Sequence, residues 1–215
     1  GIFEMNTAIR KHGLLLLAPL LLAPAAVLAV EEAEYRVLEQ HGEIEVRDYA
    51  PSIIAEVVVD EDFEDAGNRA FRALFKYIDG NNREQQEIAM TAPVSQQKNS
   101  VKIDMTAPVS QSRQADGWAV SFMMPASFTM ENIPEPLDPA VKIREIPSHR
   151  AVSIRYSGTW SEKNFAEHLQ ALESWLEAHG KKTAGEPVWA RYNAPFTPWF
   201  MRRNEILIPL EEAES

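Results

Sequence analysis

From Tyr35 onward, apolar and polar positions alternate in short stretches separated by turn residues. Tyr35, Val37 and Leu38 lead to Gly42, and Ile44, Val46 and Tyr49 then fall at every second or third residue, the spacing of a half-buried hairpin. Pro51 interrupts the pattern, and residues 53–59 resume it as a strand rich in β-branched side chains. At Asp62 the period changes. Phe63, Ala66, Ala70, Phe71, Leu74, Phe75 and Ile78 recur at steps of three and four, which predicts an amphipathic helix. Asp62 is placed to cap it, Glu64 and Asp65 sit at the positive end of the helix dipole, and Gly80 stops it.

The same order returns later. Val141, Ile143 and Ile146 precede a turn at Pro147-Ser148, and Val152, Ile154 and Tyr156 form the next strand. Ser161 is placed to cap a helix with apolar positions Phe165, Leu169, Leu172, Trp175 and Leu176, ended by Gly180. Extended segments close each half: 87–94 in the first, 188–193 and 205–210 in the second. Two such units, about 34–112 and 118–210, are each too small to bury a sheet face alone. The expected fold is therefore α+β: two diverged strand-strand-helix-strand units closed into a distorted, mostly antiparallel, pseudo-twofold barrel flanked by two helices. A chance likeness of two short strand-helix patterns is the alternative.

The middle of the chain holds a shorter repeat. Met90-Thr91-Ala92-Pro93-Val94-Ser95-Gln96 recurs as Met105-Thr106-Ala107-Pro108-Val109-Ser110-Gln111. Proline has no backbone donor, so Pro93 and Pro108 belong at strand edges or ends, and a hairpin with its polar tip at 97–100 is the economical reading. Residues 118–124 read as a strand, and 134–139 as a proline-bounded linker.

The N-terminal stretch reads differently. Arg10 and Lys11 precede an apolar run over 13–30, and Val27-Leu28-Ala29 supplies the small residues of a signal-peptidase site, so cleavage is expected after Ala29. Met5 is the plausible initiator. Residues 1–29 are thus upstream sequence and signal peptide, and 30–215 a single domain in the periplasm or secreted. A retained membrane anchor, with the domain still outside the cytoplasm, is the other reading of an apolar run this long.

Composition narrows the chemistry. The hydrophobic share of 45% with 25% charged residues fits an ordinary globular domain. A net charge of -11 argues against a nucleic-acid partner, which calls for clustered Lys and Arg. There is no cysteine, so thiolate metal sites, disulfides and a cysteine nucleophile are excluded, and any metal would be held by His, carboxylate, Tyr or Met.

The Tyr-x-Val start at Tyr35, the helix end Phe75-Lys76-Tyr77-Ile78-Asp79-Gly80-Asn81-Asn82, the Met-Thr-Ala-Pro-Val segment and the closing stretch from Tyr192-Asn193-Ala194-Pro195-Phe196 to Arg203-Asn204-Glu205-Ile206 together resemble the SOUL haem-binding protein family. The resemblance spans about Tyr35 to Leu210 with the segments in order. It implies the distorted barrel just described, a fold also seen in effector-binding domains of some transcription regulators. It also implies haem or a related tetrapyrrole as the small-molecule partner.

A tetrapyrrole needs a flat apolar slot, cations for its propionates and, optionally, an axial ligand. Within eight residues the late loop offers Phe196, Trp199, Phe200, Met201, Arg202 and Arg203. Such a cluster is either a ligand contact or a plug that caps the barrel. The resemblance places haem between this loop and the first helix, where Phe71, Leu74, Phe75 and Ile78 would face the slot and Lys76, Arg69 or Arg72 would reach a propionate; the competing reading of the helix residues is core. Where some family members carry a histidine after the second strand, this chain has Asp48, so no axial histidine carries over. His41, Met201 and Tyr192 are the weak candidates for iron, with His149, His168 and His179 read as turn or helix-surface residues.

Catalytic motifs are lacking: no GxSxG elbow, no HExxH helix and no phosphate-binding glycine loop. Glu87, Asp104 and Glu205 lie at or next to the starts of late strands, and one buried there would serve as an acid, a base or a receptor for a cationic ligand. The expectation is a non-enzymatic haem carrier, buffer or sensor. The alternative is a binder, or minor hydrolase, of another hydrophobic or cationic small molecule in the same cleft; a membrane partner enters only through an uncleaved N-terminal segment.

Overall fold

The computed structural model describes residues 31–60, 63–83, 102–103, 106–115 and 117–211. The elements are β1 (Tyr35–His41), β2 (Ile44–Tyr49), β3 (Ser52–Val59), α1 (Phe63–Ile78), β4 (Asn82–Arg83), β5 (Val109–Gln114), β6 (Gly117–Met123), β7 (Glu135–Pro136), β8 (Lys142–Ile146), β9 (His149–Tyr156), α2 (Glu162–Ala178), β10 (Val188–Arg191), a 3-10 turn (Trp199–Met201) and β11 (Asn204–Pro209). Nine strands form one curled antiparallel sheet in the order β1-β2-β9-β11-β10-β5-β6-β3-β8. The α+β half-barrel with two helices is the expected class.

Alternation within the strands sorts side chains to two faces. On the outer face, Ala55 and Val57 of β3 and Val120 and Phe122 of β6 meet Ala70, Leu74, Tyr77 and Ile78 of α1 in one core cluster. Val152, Ile154 and Tyr156 of β9 and Ile206 and Ile208 of β11 meet Leu172 and Leu176 of α2 in a second. Apolar residues four apart on each helix thus bury one stripe, as the periodicity requires. Ser161 caps α2 by accepting from the Asn164 N–H at 3.3 Å. Strands β5 and β10 lie between the two helix-covered regions.

One detail follows the sequence reading and another departs from it. The second Met-Thr-Ala-Pro-Val copy becomes a strand only at Val109, after Pro108, in keeping with the missing proline donor. The short strands β4 and β7 pair with each other where sequence suggested only a helix stop and a linker; two residues are too few to show a period. The first copy, the hairpin tip at 97–100, segment 87–94, the Asp62 cap and the N-terminal run lie outside the described residues. One glycine is dictated by space: Gly117 has φ of +128°, and a Cβ there would lie 2.2 Å from the Val59 carbonyl oxygen.

Candidate functional site

The inner, concave face of the sheet encloses a cleft of about 510 Å³. Ile54, Met123, Ile146 and Leu207 supply apolar walls, and Ser110, Ser112 and Ser121 a hydroxyl stripe. Near its Tyr49 and Tyr192 walls lies a buried ionic cluster that the sequence reading did not assemble. Glu205 is 0% and Arg47 2% exposed. Arg47 donates to Glu205 from Nη1 at 2.7 Å and to the Tyr49 hydroxyl at 2.9 Å. Tyr192 donates its hydroxyl proton to Glu205 at 3.0 Å, and Arg203 Nε donates to the other carboxylate oxygen at 3.0 Å. Arg203 also reaches Glu32 at 2.8 Å, tying the segment before β1 to this end of the sheet.

Burial by itself would raise the Glu205 pKa, but the hydrogen bond and charge of Arg47, joined by Arg203, outweigh it and hold the carboxyl below its ordinary value. The same pair works in reverse on Arg47, where Glu205 overrides burial and raises the pKa. Burial raises the hydroxyls of Tyr49 and Tyr192, so both stay protonated donors or acceptors at neutral pH. A cationic ligand calls for an uncompensated buried carboxylate. Glu205 is buried, but two guanidiniums and a hydroxyl already answer its charge. Glu87 and Asp104 lie outside the described residues.

The late loop rests beside the N-terminal end of α2. It is anchored, not adrift: the Gly158 N–H donates to the Trp199 carbonyl at 3.1 Å, and Arg202 donates to the Thr197 and Pro195 carbonyls. Arg202 also stacks on Trp160, with Cζ 4.2 Å from the ring centroid, while the Trp160 indole donates to Asn204 at 2.8 Å. On this frame Phe196, Trp199, Phe200 and Met201 stand 89%, 59%, 61% and 64% exposed. Exposure of this extent weighs against the plug, whose side chains would be turned inward. Trp199 and Phe200 meet edge-on at 5.6 Å, which gives the patch a fixed shape.

The predicted helix residues divide. Leu74 and Ile78 are buried in the core beneath β3 and β6. Phe71 is half-buried, stacked on Phe75 and edge-on to Phe122 at 5.2 Å, and Phe75 and Lys76 are exposed. Arg69, Arg72 and Phe71 line a shallow cavity beside α1 together with Asp65 and Asn68. Strand register links the helix to the loop. Phe122, under Phe71, is opposite Val109, and Val109 is opposite Arg191, the last residue before the chain leaves for the loop. Directly opposed residues share a face, so two inter-strand spacings, about 10 Å, separate Phe122 from Arg191 on the outer side.

The iron candidates fall in different places. His41 packs against Trp175 and His179 at the C-terminal end of α2, whereas the loop rests beside its N-terminal end. A helix of 17 residues is about 25 Å long, too far for His41 to ligate a haem held at the loop. Tyr192 donates a hydrogen bond to Glu205 inside the concave cleft. Met201 alone of the three sits on the loop. His149 stacks on Tyr49 and His168 on Tyr156. Among the described residues no group of three or more His, Asp or Glu side chains is placed to hold a metal, and no helix is long and apolar enough to cross a membrane.

Sequence reasoning missed Arg47, Trp160 and Arg191. Arg47 had a signal: it lies two residues from both Glu45 and Tyr49, on the inward-facing parity of β2. Arg191 had a fainter one, two residues after the buried Trp189.

The family model described as SOUL heme-binding protein matches residues 30–209. A mouse relative named heme-binding protein 1 is 27% identical over 69% of this chain and 74% of its own length. A human relative named heme-binding protein 2 is 29% identical over 88% of this chain and 93% of its own. Among solved structures, a conserved protein of Listeria innocua shares the fold at a TM-score of 0.50 and 12% identity, covering 79% of this chain and 92% of the other.

Proposed function

The chain belongs to the SOUL heme-binding protein family, and from that premise we propose that it binds haem against the late aromatic loop, on the outer side of the sheet that faces α1. The supporting observation is the loop itself: four large apolar side chains held in solvent by a hydrogen-bonded, stacked base. Apolar surface held in solvent with a defined shape marks a binding site. Two relatives carry haem binding in their names. The residues present fit the group: aromatic faces for the macrocycle, cations for its acid arms, and a thioether at Met201 as the iron ligand within the loop.

In this reading Trp199 and Phe200 cover the ring, Phe71 and Phe75 of α1 form the opposite wall, and Arg202 stiffens the loop through its two carbonyl contacts. Arg203 acts elsewhere, since Glu205 and Glu32 hold its guanidinium. The role is non-catalytic, as carrier, buffer or sensor. The basic n-region at Arg10 and Lys11 and the apolar run after it support export to the periplasm or medium.

The test is a hemin titration of the purified chain followed in the Soret band, with Trp199→Ala and His41→Ala alongside. Saturable binding at micromolar haem is expected, weakened about tenfold by Trp199→Ala and unchanged by His41→Ala. Absence of saturable change overturns the function, and the reverse order of the variants moves the site to the β1–β2 turn.

A further inference from the structure

Trp160 carries two guanidiniums. Arg202 lies over its ring at 4.2 Å and Arg191 at 5.5 Å, and Arg191 lies closer still, 4.1 Å, to the ring of Trp189. Neither arginine meets a carboxylate among the described residues. Carboxylates are not scarce in this chain, where acidic residues outnumber basic ones by 32 to 21. Arg36, Arg47, Arg83, Arg144, Arg150 and Arg203 all have a carboxylate within 4 Å. Arg191 instead gives one nitrogen to the neutral side chain of Gln111, and its buried Nε has no acceptor among the described residues.

Arg191 is half-buried with its Nε enclosed, and enclosing part of a cation without a counter-charge is costly, so folds keep such groups where they have work to do. Burial accordingly draws the Arg191 pKa down to about 10, far enough above neutrality to leave it charged. Its position matters as much as its charge. Arg191 ends β10 where the chain departs for the exposed loop, and it lies on the outer side in line with Val109, Phe122 and Phe71. A flat ligand resting on Trp199 and Phe200 would carry its edge toward this guanidinium.

We infer that Arg191, held by Trp160, Trp189 and Gln111, is the receptor for a carboxylate arm of the ligand, so that the site selects flat aromatic molecules bearing acid side chains over their neutral counterparts. The inference deepens the haem-binding reading and rests on it. The fork of the guanidinium suits a carboxylate, and stacking on two indoles keeps that fork in place without a competing acid. Arg202, on the same indole, adds a second positive charge nearby.

The full chain is titrated with haem and with haem whose two propionates are methyl esters, in wild type and in Arg191→Gln. Wild type is expected to prefer the free acid at least tenfold; Arg191→Gln reduces that preference to about twofold or less by weakening the free acid more than the ester. If Arg191→Gln does not fold, Arg191→Lys carries the test, and the preference falls at least threefold because the fork is lost. Wild type binding both forms equally, or an unchanged preference in the variant, overturns the inference alone. An equal loss toward both forms also overturns it, since that marks a structural role. Wild type binding neither form overturns the haem reading itself.

Discussion

Replacing Glu205 with glutamine tests whether the buried ionic cluster is a closed structural device or an open receptor. Glutamine keeps the shape but removes the charge that Arg47 and Arg203 share, leaving Arg47, 2% exposed, with only the partly exposed Glu45 at 2.7 Å as counter-ion. Breaking a buried pair on one side costs about 3–5 kcal/mol, because the remaining charge stays desolvated. For a domain of this size about 1 kcal/mol moves the melting temperature by roughly 2–4 °C, so a drop of roughly 6–20 °C is expected in a thermal melt at pH 7. The double change Arg47→Met with Glu205→Leu removes both charges and is expected to cost less than Glu205→Gln alone. A loss below about 1 kcal/mol for Glu205→Gln would refute the reasoning, as would a double variant less stable than the single one. Loss of binding to a lipophilic cation with little change in stability would instead make Glu205 a cation receptor.

The same cluster sets an acid limit. Glu205 has a lowered folded pKa, so its stabilisation is fully present above the unfolded carboxylate value of about 4.5 and is lost as pH falls through the folded value. Melting temperature should therefore decline below about pH 4.5, less steeply in Glu205→Gln; parallel profiles for the two chains would remove Glu205 from the account. At the β5–β6 turn, Gly117→Ala forces a Cβ within 2.2 Å of the Val59 carbonyl oxygen at a positive φ. A loss of about 1–3 kcal/mol in urea unfolding is expected, and a neutral result would mean that the turn relaxes freely.

The frame was legible because it rests on local signals. The period-2 run of β3, the Ser161 cap and the four-residue steps of α1 and α2 all appear as the pattern predicts. What local pattern could not show was partnership across the sheet. Glu205 was visible as a strand-start acid with Arg203 beside it, but the second arginine that neutralises it lies 158 positions earlier, and only the β2-β9-β11 order brings the two together. The loop was legible as a cluster of aromatics without showing whether they point out; their exposure depends on Gly158, Trp160 and Arg202 holding the base. On α1, periodicity marks Leu74 and Phe75 alike as apolar, yet the first is core and the second surface, a difference set by which side meets Val120 and Phe122. Arg191 escaped notice because its interest lies in a missing counter-charge, which no sequence displays.

The direct test of the account is the affinity for hemin of a chain in which Phe196, Trp199, Phe200 and Met201 are all serine, read in the Soret band beside wild type at equal thermal stability. The account predicts saturable micromolar binding by wild type and a loss of at least a hundredfold in the serine chain. Equal affinity of the two would place the haem elsewhere and contradict it.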